Sequence, residues 1–114
     1  MIERHGELFI QRIYTEDEVR YCQSRPQSTQ HFAARWAAKE AVLKALGIGS
    51  RRGVPWTDVE IRKEAAGRPK VAVRGAVKDI VQQLGVAEVL VSMAHCRTHA
   101  TAYAMAIGRE PAGE

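Results

Sequence analysis

Two adjacent charged residues interrupt the most regular apolar pattern in this sequence. From Thr29 to Leu46 the large apolar residues recur at the spacing of a helix, which Gly47 is suited to end. At about 100° per residue, the side chain of Lys39 falls inside the apolar arc and that of Glu40 at its edge. A charge at a core boundary is costly unless it is paired, hydrogen-bonded or bound to a metal. We therefore expect this helix to hold charge at a site.

The other predicted elements give the fold class. Two helices, at residues 2–13 and 15–24, precede the long one, and the second opens with a capping box of Thr15 and Glu18. A short helix is predicted at 76–84. Strands are predicted at 59–63, 70–74, 88–94 and 101–107. Because helices come first and strands mostly follow, we expect an α+β fold that forms a single domain over residues 1–114.

Composition narrows the class of protein. Of the 114 residues 46% are hydrophobic and 26% charged, which suits a folded domain rather than a disordered chain. No apolar run approaches the roughly 20 residues that span a bilayer, and no signal peptide is evident, so we expect a soluble cytoplasmic protein without a membrane partner. Cys22 and Cys96 match neither a zinc motif nor a disulfide framework.

The formal net charge of +4 favours a polyanionic partner, such as nucleic acid, a phosphorylated cofactor or an acidic protein. Charge alone does not choose among these three. An aromatic content of only 6% counts against a surface that stacks single-stranded bases.

Glu40 and Lys44 allow two interpretations from the residues alone. They stand four positions apart, as do Arg35 and Lys39, and such pairs usually stabilise a helix surface by about 0.2–0.5 kcal/mol. Alternatively, the Glu40 carboxylate can ligate Mg²⁺, Lys44 can meet a phosphate or assist a proton transfer, and Arg35 can fork onto a phosphate.

Further residues in predicted loops also allow two interpretations. The simpler one is an ordinary loop residue, and the alternative is a residue of a functional site. His95 ends a predicted strand, where side chains often line sites, and His99 is an adjacent substitute. The Gly67–Pro69 segment predicts a hairpin turn whose glycine also permits close approach of a planar ligand. Arg25 is most simply a solvated charge.

Taken together, these residues resemble the holo-[acyl-carrier-protein] synthases, the small bacterial phosphopantetheinyl transferases. The likeness rests on four ordered segments, FIQRIYTEDEVRYC, FAARWAAKEAVLKALG, WTDVEIRKEAAGRP and VLVSMAH. The first follows the family pattern F-x-x-R-x-[FLY]-T-x-x-E, and the second follows the core R-[FW]-A-A-K-E-A-x-x-K. The match covers nearly the whole chain, and the second segment is highly specific.

The resemblance implies an activity and roles for these residues. Family members move 4′-phosphopantetheine from coenzyme A to a serine of apo acyl-carrier protein, with Mg²⁺ on the diphosphate, in support of fatty acid biosynthesis. By resemblance, Glu40 is a metal ligand and Lys44 lies at the phosphate and proton-transfer site. The residues expected to hold coenzyme A are Arg35, Arg25 and His95, with Gly67 and Pro69 shaping the loop beside the nucleotide. An antiparallel sheet packed on a long helix, and a homotrimer with active sites shared between subunits, are also implied.

One departure from the family leaves alternatives open. Family members open with a strand of the type G-[IV]-D-[IL]-V-E, whose aspartate is a second metal ligand, and the sequence holds no such segment before the first helix. Either the start lies too far downstream or the protein is shortened. In the second case we expect an impaired module that binds coenzyme A, or that docks on the acidic carrier protein through Arg4, Arg12 and Arg20. A nucleic-acid-binding domain, supported by net charge alone, ranks last, and we expect no nucleic-acid partner.

Overall fold

The elements follow one another largely as the sequence predicts. The computed structural model describes residues 4–48, 53–64, 67–95 and 98–108, with side chains from residue 8 onward. The helices are α1 (Arg4–Ile13), α2 (Glu16–Gln23), α3 (Ser28–Ala45) and α4 (Gly75–Gln83). The strands are β1 (Val59–Lys63), β2 (Pro69–Val73), β3 (Val86–His95) and β4 (Ala100–Gly108). This order confirms the α+β class and places each predicted boundary within about two residues.

A short 3-10 helix, Trp56–Asp58, leads into β1 and was not predicted. The loop predicted between α3 and β1 falls partly at residues 49–52, which lie outside the described residues, as do Cys96 and part of the turn that joins β1 to β2. No helix in the described part of the chain is long and apolar enough to cross a membrane.

The strands pair in two antiparallel hairpins. β1 pairs with β2 in a register that sets Val59 opposite Val73 and Lys63 opposite Pro69. β3 pairs with β4, and the register sets Leu90 opposite Met105. Over the ranges that the structure describes, each pair is a separate two-stranded sheet. The long helix α3 packs mainly on β4 and β3, as the expectation of a sheet against a long helix requires.

The core forms where α3 lies on the β3–β4 hairpin. The side chains of β4 alternate between the two faces of the hairpin, and those that face the core include the alanines at positions 102, 104 and 106. The matching side of α3 presents Ala34 and Ala38, which are 2% and 0% exposed. Because these side chains are small, the helix backbone approaches the strand closely. Larger apolar residues close the rest of the core, namely Val42, Leu43, Leu46, Val59, Ile61, Val77 and Val86.

The bulky aromatic residues of α3 lie at the margin of this core rather than at its centre. Trp36 is half-buried and stacks on Trp56 with ring centroids 4.6 Å apart, while Phe9 of α1 lies 5.7 Å from Trp36. Phe32 is also half-buried, and its ring meets that of Tyr14 edge-on at 4.9 Å. These contacts attach α1 to α3.

The opposite face of the β3–β4 hairpin is apolar and exposed. Leu90 is 46% exposed, Tyr103 77%, Met105 62% and Ile107 37%. These side chains alternate along the strands with the core residues and therefore share one face. A contiguous apolar face of this kind is typical of an interaction surface.

A buried ion pair joins three elements. The Glu18 carboxylate lies 2.7 Å from Lys39 Nζ, and both side chains are at most 1% exposed. Glu18 also accepts hydrogen bonds from the backbone N–H of Thr15 and of Ile61, each 2.9 Å long. Lys39 Nζ donates in addition to the carbonyl oxygen of Val59. The pair thus connects the start of α2, the middle of α3 and strand β1.

This ion pair corrects one sequence-based inference. In the sequence, the position of Lys39 in the apolar arc favours a functional site, but the structure pairs this lysine inside the fold, so Lys39 itself does not support such a site. Its charge is compensated inside the fold by Glu18, the residue that also completes the predicted capping box with Thr15. Burial lowers the pKa of Lys39, whereas the neighbouring Glu18 carboxylate opposes that shift and favours the charged form.

We expect Lys39→Met to lower the free energy of unfolding by about 3–5 kcal/mol, because the Glu18 carboxylate would stay buried without its cation. The double variant Glu18→Gln/Lys39→Met should recover part of this loss, since it removes the uncompensated charge. Urea unfolding at a fixed protein concentration measures both. The exposed Lys44→Met on the same helix is the control and should change stability by less than about 0.5 kcal/mol. A Lys39→Met variant as stable as this control would contradict the assignment.

Candidate functional site

A cavity of about 170 Å³ lies where α2, α3, the β1–β2 hairpin and the end of β3 meet. Arg35, Gly67, Pro69 and His95 all line it. These residues are far apart in sequence and were singled out separately, so the fold brings together most of the predicted cofactor-binding set. Their role in binding stays a prediction.

Arg25 adjoins the cavity through an aromatic ring. The guanidinium carbon of Arg25 lies 4.5 Å from the centroid of the Tyr21 ring, and that of Arg35 lies 4.2 Å from the same centroid. The ammonium group of Lys63 is 6.0 Å from this ring. Cation–π attraction thus gathers two arginines and a lysine around one tyrosine.

Arg35 is buried with unused hydrogen-bonding capacity. It is only 3% exposed, and its Nε has no hydrogen-bond partner among the residues that the structure describes. A buried donor without an acceptor is costly. Beside it, burial raises the pKa of the Cys22 thiol to about 11, although Arg35 opposes this, so Cys22 stays neutral. Among the described residues, the Nε of Arg35 is thus a buried donor without a partner in a side chain that lines the cavity.

Two histidines form one wall of the cavity. The rings of His31 and His95 meet edge to face with centroids 4.9 Å apart, and His31 makes a similar contact with Tyr21 at 5.7 Å. His95 Nδ1 lies 3.0 Å from Gln30 Oε1, and because an amide oxygen only accepts, Nδ1 donates in this arrangement. Burial lowers the pKa of His31, and His95 and the nearby cations lower it further.

Sequence reasoning missed several residues of this cavity. Tyr21, His31, Lys63 and Met93 line it as well. His31 stands one helical turn before Arg35, so helical spacing from an already suspected arginine is the signal that would have found it. Lys63 and Tyr21 reach the cavity only through tertiary packing, and no local pattern marks them.

The chemistry of the lining suits a phosphate group. The residues that the structure describes around the cavity include arginine, lysine and histidine and no carboxylate. Gly67 has φ of +87°, a left-handed conformation that favours glycine, while a Cβ there would meet nothing within 4 Å. Within the protein the need for glycine at this turn is thus conformational, and the close approach of a ligand to Gly67 stays a prediction.

Glu40 and Lys44 lie away from this cavity within one chain. They follow Arg35 on α3 by five and nine residues, which places them about 140° and 180° around the helix. Glu40 is half-buried and Lys44 exposed. In the described part of the chain no ion pair joins Glu40 to Lys44, so the surface-pair interpretation finds no support.

Glu40 is the carboxylate that the sequence predicts as a metal ligand. Among the described residues, no cluster of three or more histidine, cysteine, aspartate or glutamate side chains is arranged to hold a metal ion. Mg²⁺ is often bound by one or two carboxylates together with substrate phosphates and water. A half-buried Glu40 fits that requirement as one protein ligand.

Comparisons with known proteins identify the family of this chain. Residues 1–107 match the model of the 4′-phosphopantetheinyl transferase superfamily. The chain is 43% identical over 103 residues to the holo-[acyl-carrier-protein] synthase of Rhodopirellula baltica, covering 90% of this chain and 82% of that protein.

Solved structures of the same kind share its fold. The holo-[acyl-carrier-protein] synthase of Neisseria meningitidis superposes with a TM-score of 0.80 at 30% identity, covering 89% of this chain and 81% of that one. The enzyme of Bacillus anthracis, solved in complex with coenzyme A, gives 0.74 at 28% identity, with coverages of 95% and 87%. The chain therefore belongs to the 4′-phosphopantetheinyl transferase superfamily, within its holo-[acyl-carrier-protein] synthase family.

Proposed function

We propose that this protein transfers 4′-phosphopantetheine from coenzyme A to a serine of apo acyl-carrier protein, in support of fatty acid biosynthesis. The observation that carries the proposal is the cationic cavity that unites Arg35 and His95 with the Gly67–Pro69 turn. A ligand with several phosphates and a planar base matches such a lining, and relatives of this chain are named for this transfer.

The cavity holds coenzyme A by its phosphates in this proposal. Arg35 and His95 line the cavity, and Arg25 adds positive charge beside it. Gly67 and Pro69 shape the turn beside the nucleotide. The basic excess of the chain is thereby assigned to a phosphorylated cofactor, so net charge no longer argues for nucleic acid.

Glu40 and Lys44 serve the chemical step. The carrier serine oxygen forms a bond to the phosphorus next to pantetheine, the diphosphate P–O bond breaks, and 3′,5′-ADP leaves while the serine proton passes to a base. Glu40 would hold Mg²⁺, which would offset phosphate charge and polarise the leaving group. Lys44, one helical turn later, stabilises the phosphate charge and assists the proton transfer.

The carrier protein docks on α1 and α2 in this proposal. Arg12 is exposed in the last turn of α1, and Arg20 is exposed on α2, where it pairs with Asp17. These groups suit an acidic partner, while the side chain of Arg4 lies outside the described residues.

The active site is shared between subunits of a homotrimer. Arg35 and Lys44 point to opposite sides of α3, so the cofactor cavity and the Glu40–Lys44 pair cannot face one substrate within a single chain. In a trimer, Glu40 of one subunit can instead lie beside the cofactor cavity of the next subunit, so that both act on one substrate. The exposed apolar face of β3–β4 offers a surface for such an assembly.

Glu40→Ala is expected to reduce transfer by about 100- to 1000-fold, the usual cost of losing one group that stabilises transition-state charge. The assay incubates protein, coenzyme A, Mg²⁺ and apo acyl-carrier protein and weighs the carrier. Circular dichroism should show an unchanged fold. Asp79→Asn, an exposed carboxylate on α4, is the matched control and should retain activity.

Unimpaired transfer by Glu40→Ala would remove Glu40 from the mechanism. The described residues hold no cluster of metal-ligating side chains around Glu40, and this favours a second candidate function, a module that binds coenzyme A without turnover. Calorimetry with coenzyme A, with and without Mg²⁺, separates the two. Binding by the unaltered protein without any mass gain on the carrier would support the module, and turnover excludes it.

Mixed assemblies test the shared site. Glu40→Ala and the cavity variant Arg25→Ala/His95→Ala should each be inactive alone. Co-expressed at equal levels in random trimers, they should recover about one quarter of the wild-type activity, because one site in four pairs an intact Glu40 with an intact cavity. Light scattering measures whether the mixed assemblies are trimers. If they are trimers and no transfer activity is recovered, each complete site lies within one chain.

A further inference from the structure

We propose that His31, whose ring contacts that of His95, takes up a proton when the phosphates of coenzyme A enter the cavity, which makes His31 a further cofactor-binding residue. This inference rests on the proposed function and deepens it. It predicts that binding of coenzyme A tightens as the pH falls.

His31 and His95 are in direct ring contact inside the cavity. Their centroids are 4.9 Å apart, and both residues line the cavity. Gln30 accepts a hydrogen bond from His95 Nδ1 and so favours one orientation of the ring that His31 contacts.

The surroundings of His31 oppose a positive charge on its ring in the free protein. Among the described residues, every titratable group that acts on His31 is a cation or another histidine. They are Arg35 on α3, Arg25 after α2, Lys63 on β1 and His95 on β3. Tyr21 on α2 completes the enclosure with its ring edge-on to His31. Burial and these cations hold the pKa of His31 below its ordinary value, and the described residues supply no carboxylate to offset them.

A bound phosphate reverses this balance. A dianion among these cations favours the charged imidazole of His31, so the pKa of His31 is higher in the complex than in the free protein. A group whose pKa rises on binding takes up protons, and affinity grows as the pH falls through the pKa of the complex. Each unit of increase corresponds to about tenfold tighter binding below both pKa values.

Calorimetry with coenzyme A measures this linkage. Titrations at pH 6.5 and 8 in buffers with different protonation enthalpies give the number of protons bound per ligand. The phosphate of the ligand also titrates, with a pKa of about 6, so the difference between protein variants isolates the histidine contribution. We expect the wild type to take up about half a proton or more per ligand above His31→Gln, which keeps a polar side chain and cannot become charged.

His99→Gln is the matched control, because this exposed histidine does not line the cavity, and it should behave as the wild type does. Equal proton uptake and equal pH dependence in His31→Gln and the wild type would overturn the inference. If His31→Gln folds poorly, NMR titration of the ring protons of His31 in the wild type replaces this comparison. A pKa of His31 that does not rise on adding coenzyme A refutes the inference.

These outcomes are separable from those of the proposed function. Binding without proton linkage, accompanied by transfer to the carrier, defeats this inference alone. An absence of any coenzyme A binding by the wild type defeats both.

Discussion

The buried contact between Glu18 and Lys39 holds together the three elements that carry one side of the cavity. Tyr21 follows Glu18 by three residues on α2, and Arg35 precedes Lys39 by one turn of α3. Lys63 lies two residues beyond Ile61, whose backbone N–H also bonds to Glu18. These three lining residues are thus positioned by an ion pair that does not itself line the cavity.

The cationic cavity illustrates a conflict between stability and function. Arg35, Arg25, Lys63 and the two histidines repel one another, and a buried Arg35 Nε lacks an acceptor. An arrangement selected for stability alone would place a carboxylate among them. Tyr21 compensates in part, since its ring attracts the cations without supplying a charge that would compete with a phosphate.

The helices, strands and capping box were predictable because each depends on local periodicity and end signals. Arg35, Gly67, Pro69 and His95 were predictable as a set through resemblance, although nothing local says that they meet. The partner of Lys39 was missed because it depends on how α2 crosses α3, which the sequence pattern does not encode. Tyr21 and Lys63 were missed for the same reason. The angle between Glu40 and Arg35 around α3 follows from helix geometry. Which of the two residues faces the cavity becomes known only when the structure shows which side of α3 is buried.

The alanines that line β4 have a mechanical consequence. Alanine has no side-chain rotamers, so Ala102, Ala104 and Ala106 cannot readjust where β4 faces the core. Any repacking between α3 and the hairpin must come from larger core side chains such as Val42 and Leu43, near the end of the helix. This contact therefore has a part that cannot adapt, at the alanines, and a part that can, toward the last turn of α3.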